Sequence, residues 1–169
     1  MKMIYFTFVI LLAMPAKSQD ISELIKRNGF KDIKLGSSVD SVNGASFEKD
    51  FIELKEFEAK LYDVKNAAYE KIGEAEVKSV ELKTYKGLIY EITVITPKDP
   101  RIMKGLEKSY GKATYSLRSE SYYWRAPEII SLVYKGHHKD VKLTYRSYPV
   151  VKIMYADKKK KIQEIAEDF

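Results

Sequence analysis

The chain has 169 residues, 45% of them hydrophobic and 32% charged, with 13 tyrosines, one tryptophan and no cysteine. That balance excludes a disordered chain and a membrane-embedded bundle, and the missing cysteine excludes thiol catalysis, iron–sulfur clusters, cysteine-ligated zinc and disulfide staples. The formal charge of +6 suits an acidic protein, glycan or lipid headgroup better than nucleic acid, for which no recognition motif occurs.

The opening residues predict export. Lys2 supplies a positive start, Met3 to Met14 form an apolar run broken only by Thr7, and Ala16-Lys17-Ser18 places small residues ahead of a cut before Gln19. This is the layout of a secretory signal peptide, too short to span a bilayer as a permanent anchor. Residues 1–18 are expected to be removed, leaving residues 19–169 as a single domain in the periplasm or outside the cell.

Ile21, Leu24 and Ile25 have the i, i+3, i+4 spacing of a short amphipathic helix, closed by Asn28-Gly29. In Gly36-Ser37-Ser38-Val39-Asp40 a Ser with Asp three residues on resembles a capping box, and a second short helix is expected from Ser38 until Asn43-Gly44 breaks it. Phe47 to Leu61 fits a helix in its first part and a strand in its last. From Val77 the pattern alternates cleanly: Val80 and Leu82, then Leu88, Tyr90, Ile92 and Val94, flank the turn Tyr85-Lys86-Gly87. This predicts an antiparallel hairpin that Pro97 ends.

Asp99-Pro100 starts a helix by capping chemistry, Ile102, Met103, Leu106 and Tyr110 form its apolar face, and Gly111 ends it. Gly105 within it lowers helix propensity by about 1 kcal/mol relative to alanine. Ser121 to Ala126, Ile129 to Tyr134 and Val141 to Tyr145 then read as a meander of three strands. Val151, Ile153 and Tyr155 suggest a last strand, and Ile162, Ile165 and Ala166 a closing helical turn. Helix followed by strands occurs twice, over residues 30–96 and 97–156. The expected fold class is α+β: helices packed on one face of a curved antiparallel sheet, with an internal duplication as one origin of the two halves.

Ile33-Lys34-Leu35-Gly36-Ser37-Ser38-Val39-Asp40-Ser41-Val42 and Leu106-Glu107-Lys108-Ser109-Tyr110-Gly111-Lys112-Ala113 resemble segments of small exported bacterial envelope domains. That group includes the β-lactamase-inhibitor-protein-like fold and the small outer-membrane-assembly lipoprotein fold. The resemblance implies helices lying across an antiparallel sheet and a role in protein binding. Unlike the assembly lipoproteins, this chain has no cysteine to lipidate, and no functional residues carry over.

Chemistry-bearing motifs are sparse. His137 and His138 are adjacent in a turn, where they suit solvent better than a shared metal ion. No Gly-x-Ser-x-Gly elbow or glycine-rich phosphate loop occurs, so neither a metal nor a cofactor is expected. Carboxylate pairs such as Glu74/Glu76 and Glu120/Glu128 leave an envelope-polymer hydrolase as the alternative function. The run Lys158 to Lys161 reads as a solvated stretch.

The remaining signal is aromatic. Tyr123, Trp124 and Arg125, with Arg118 and Arg146, are the candidate binding residues, because aromatic and arginine side chains bury large areas while keeping a polar handle. The expected function is therefore a non-enzymatic binding or accessory protein of the bacterial envelope. Its partner would be a protein or an envelope polymer.

Overall fold

The structure, a computed structural model, describes residues 21–169, so the signal-peptide reading lies outside the described residues. Helix α1 (Ser22–Arg27) ends at Asn28, whose φ of 45° is the left-handed cap expected of Asn-Gly. Two short strands follow, β1 (Gly29–Phe30) and β2 (Ile33–Lys34). Gly29 has φ +149°, and a Cβ there would lie 2.1 Å from the Ile33 carbonyl oxygen, so only glycine fits. The predicted helix after Ser38 is a single 3-10 turn, Val39–Ser41, capped by the Ser38 hydroxyl.

The ambiguous segment is a hairpin of β3 (Ala45–Glu53) and β4 (Phe57–Val64). A small hairpin, β5 (Lys71–Ile72) and β6 (Ala75–Glu76), precedes the predicted long one, β7 (Ser79–Tyr85) and β8 (Leu88–Pro97). Helix α2 (Pro100–Tyr110) begins and ends where its caps require, with the Asp99 carboxylate accepting from the Arg101 N–H at 2.8 Å. Strands β9 (Thr114–Ser116), β10 (Ser121–Ala126), β11 (Ile130–His137) and β12 (Asp140–Ser147) form the meander, and α3 (Tyr148–Glu167) closes the chain.

Eight strands make one antiparallel sheet in the order β3-β4-β7-β8-β12-β11-β10-β9. Each half of the chain contributes four consecutive positions, and the halves meet where β8 pairs with β12, Ile92 opposite Tyr145. The larger core lies on one face, around Leu82, Ile92, Val94, Leu132 and Leu143. A smaller cluster on the other face joins Phe57, Ala59, Tyr85 and Tyr90 to Val150 and Met154 of α3.

This architecture corrects the expected fold class. The described chain is mostly β, an eight-stranded antiparallel sheet with two small two-stranded sheets and three α-helices, not helices layered on one face of a sheet. The reason is reach. Helices of six and eleven residues extend about 9 and 17 Å at 1.5 Å per residue, whereas eight strands about 4.8 Å apart span far more. Much of the larger core is closed instead by irregular segments carrying Leu35, Val39, Tyr69 and Val77.

The expected last strand is also corrected, because residues 148–167 form one helix. Alternation of Val151, Ile153 and Tyr155 was the misleading cue. The buried pair is Val150 and Met154, spaced i, i+4 as a helix requires, and Ser147 caps the N-terminus ahead of Pro149.

Candidate functional site

Directly paired residues of an antiparallel sheet share a face. Arg125 pairs with Ser131, Ser131 with Arg146, Arg146 with Glu91 and Glu91 with Lys83, giving one polar row across five strands. Three candidate residues therefore share the face opposite the larger core: Tyr123, Arg125 and Arg146. The Arg125 guanidinium stacks 5.3 Å from the Tyr123 ring centre.

Trp124 lies on the other face and is fully buried. It meets Tyr110 edge-on at 6.2 Å, and its indole N–H donates to the Gly111 carbonyl at 2.7 Å. Trp124 thus belongs to the core. Arg118 sits exposed in the turn between β9 and β10.

Arg146 belongs to a charge network. It donates to Glu91 at 3.1 Å, while the Lys83 ammonium lies 3.1 Å from both Glu91 and Glu53. The Tyr90 hydroxyl donates to Glu53 at 2.8 Å. Burial alone would push the Glu53 carboxyl up, but the bonds from Tyr90 and Lys83 outweigh it and hold its pKa below the ordinary value. Each acid is matched by a cation, the arrangement of a structural ion-pair cluster.

The acid pairs singled out in the sequence do not converge in this way. Glu74 pairs with Arg101 and Glu128 with Lys152, while Glu76 and Glu120 are exposed. His137 and His138 are exposed, their rings 4.9 Å apart and edge-on. Among the described residues no three His, Asp or Glu side chains gather as a metal site would need, and no helix is long and apolar enough to cross a membrane.

A cavity of about 630 Å³ lies on the larger-core side. One wall is α2, through Ile102, Gly105, Leu106 and Tyr110; the other is the end of α1 with Phe30 of β1. Leu143 and Tyr145 of β12 form its floor, and the β5–β6 turn, Gly73-Glu74, lies over its edge. A Cβ added at Gly105 would meet nothing within 4 Å, so this glycine leaves the α2 wall open. At the mouth, Arg101 grips Asp99 and reaches Glu74 at 2.8 Å, tying the hairpin to the start of α2.

Tyr110 and Tyr145 are each only 4% exposed, and no hydrogen bond engages either hydroxyl among the described residues. Arg27, at the end of α1, lines the same cavity, and its positive charge favours the ionised form of both phenols while Glu23 opposes this at Tyr110. Burial pushes both phenols above the ordinary tyrosine value, Tyr145 strongly, so they are neutral donors at physiological pH. The cavity thus combines apolar walls and two tyrosine donors with Arg27, Lys31 and Arg101 against Asp99 and Glu74, and convergent polar groups on an apolar lining are the usual composition of a small-molecule site.

Sequence reasoning missed this site. Its available signals were Gly105, an unexplained glycine in an otherwise well-patterned helix, and the abundance of tyrosine. Neither reveals that Arg27, Tyr110 and Tyr145 converge.

Comparison with known proteins returned no matching family model, no matching curated protein and no matching solved structure.

Proposed function

We propose that this chain is an exported, non-enzymatic binding protein whose ligand occupies the cavity between α1, α2 and β12. One observation carries the reading: two largely buried tyrosines, Tyr110 and Tyr145, line a cavity of about 630 Å³, and among the described residues neither hydroxyl has a hydrogen-bond partner. A ligand acceptor that replaces water at such a hydroxyl gains about 0.5–1.5 kcal/mol per hydrogen bond. The export pattern of residues 1–18 supports action in the envelope or beyond it. The converging acids Glu53 and Glu91 favour the hydrolase alternative less, since both are held by cations rather than facing an open cleft.

Titration with Nile red, an uncharged dye that brightens in apolar sites, tests this. The expected result is saturable binding at one site that Gly105→Phe abolishes without lowering the melting temperature. Binding that is absent, or unchanged in Gly105→Phe, overturns the cavity as the site.

A further inference from the structure

Resting on the cavity as the ligand site, we infer that its ligand is a small carboxylate with an apolar body. The walls and floor of Phe30, Ile102, Leu106 and Leu143 require a hydrophobic portion, because polar groups there would lose hydration without replacement. The polar end is specified by Tyr110, Tyr145 and Arg27.

A carboxylate accepts several hydrogen bonds through two oxygens and carries one negative charge. Two O–H donors satisfy those oxygens, and Arg27 complements the charge, giving the charge-assisted bonds that are stronger than neutral ones. An alcohol could accept from one tyrosine but gains nothing from Arg27. An organic cation would meet Arg27, Lys31 and Arg101, which outnumber Asp99 and Glu74 along the lining.

Arg27 is also tied to Glu23 at 2.8 Å. That bond is exposed and helix-local, so it is weak and leaves the guanidinium available to a ligand. The apolar body has two chemical sources, an acyl chain or an aryl group, which share the same carboxylate recognition.

Calorimetric titration of the full chain with decanoate and phenylbutyrate separates those sources. Decanol and decyltrimethylammonium serve as uncharged and cationic controls. At least one acid is expected to saturate a single site, the tighter one naming the body, with both controls at least about tenfold weaker.

Tyr110→Phe and Tyr145→Phe should each weaken the acid about tenfold or more, and each should weaken it more than it weakens decanol, which accepts from one tyrosine at most. Both variants should keep the parent melting temperature, since each removes a hydroxyl with no hydrogen-bond partner among the described residues. Arg27→Gln should lower affinity for the acid and reduce its salt dependence. Decanol binding as tightly as decanoate would overturn the carboxylate assignment while leaving the cavity as the site. No binding of any probe would overturn both readings.

Discussion

The indole N–H of Trp124 donates to the carbonyl oxygen of Gly111 at 2.7 Å. That bond ties β10 to the residue ending α2 and fixes the far end of the helix forming the cavity wall. Replacing Trp124 with Phe removes the donor, strands the Gly111 carbonyl and should destabilise the fold by about 1–2 kcal/mol. Trp124→Ala also leaves a large void and should cost about 3–5 kcal/mol. Urea denaturation followed by far-ultraviolet circular dichroism measures both; equal stability of parent and Phe variant would remove the anchoring role.

Two glycines should respond in opposite directions to alanine. At Gly29 the added Cβ would collide with the Ile33 carbonyl oxygen at 2.1 Å, and φ +149° disfavours any side chain. Gly29→Ala is therefore expected to destabilise by about 2 kcal/mol or more. At Gly105, an open helical position, alanine should stabilise by roughly 1 kcal/mol. Melting temperatures of the two variants give the comparison directly.

The network around Lys83 predicts a stability plateau bounded on both sides. The folded state favours the Glu53 carboxylate, so its contribution is present above its ordinary value of 4.5 and is lost as falling pH protonates it. Tyr90 and Lys83 have raised pKa values, from ordinary values of 10.0 and 10.5. Their contribution is intact below those values and is lost as pH rises through the higher folded ones. Denaturant midpoints against pH should fall at both extremes. Lys83→Met should flatten the alkaline limb and cost about 2 kcal/mol near neutrality, less than a fully buried pair because Lys83 is 29% exposed. A variant as stable as the parent at every pH would show that the network contributes nothing.

The Arg101–Glu74 pair spans the cavity mouth at 2.8 Å but is largely exposed. Glu74→Gln should change global stability by less than about 1 kcal/mol. Because the pair holds the β5–β6 hairpin over the cavity, the same change should speed ligand release. Stopped-flow displacement of Nile red would detect this; an unchanged release rate would show that the hairpin does not gate the mouth.

Much of the local structure was legible from neighbouring residues. Asn28-Gly29, Asp99-Pro100 and Gly111 bound their helices as capping chemistry requires, and the alternation about Lys86-Gly87 yields the long hairpin. Legibility ended where short patterns are degenerate. Val151, Ile153 and Tyr155 alternate like a strand, yet Val150 and Met154 commit the segment to a helix once the cluster around Tyr90 is there to bury them.

The candidate site shows the same division. Tyr123, Trp124 and Arg125 are adjacent, so a strand sends Trp124 to the face opposite the other two. The sequence could not say which face is buried, because that depends on what packs over β10.

By itself, then, the sequence determined the start and end of several elements, since caps, turns and strand alternation act over a few residues. Only the tertiary structure decided that the chain is mostly β, that Trp124 is core, and that Arg27, Gly105, Tyr110 and Tyr145 border one cavity. Those residues come from α1, α2 and β12, and no local rule brings them together. Pairing of β8 with β12 and the joining of Leu24 of α1 and Ile102 and Tyr110 of α2 to one core cluster do so, because that arrangement removes the apolar side chains of both halves from water.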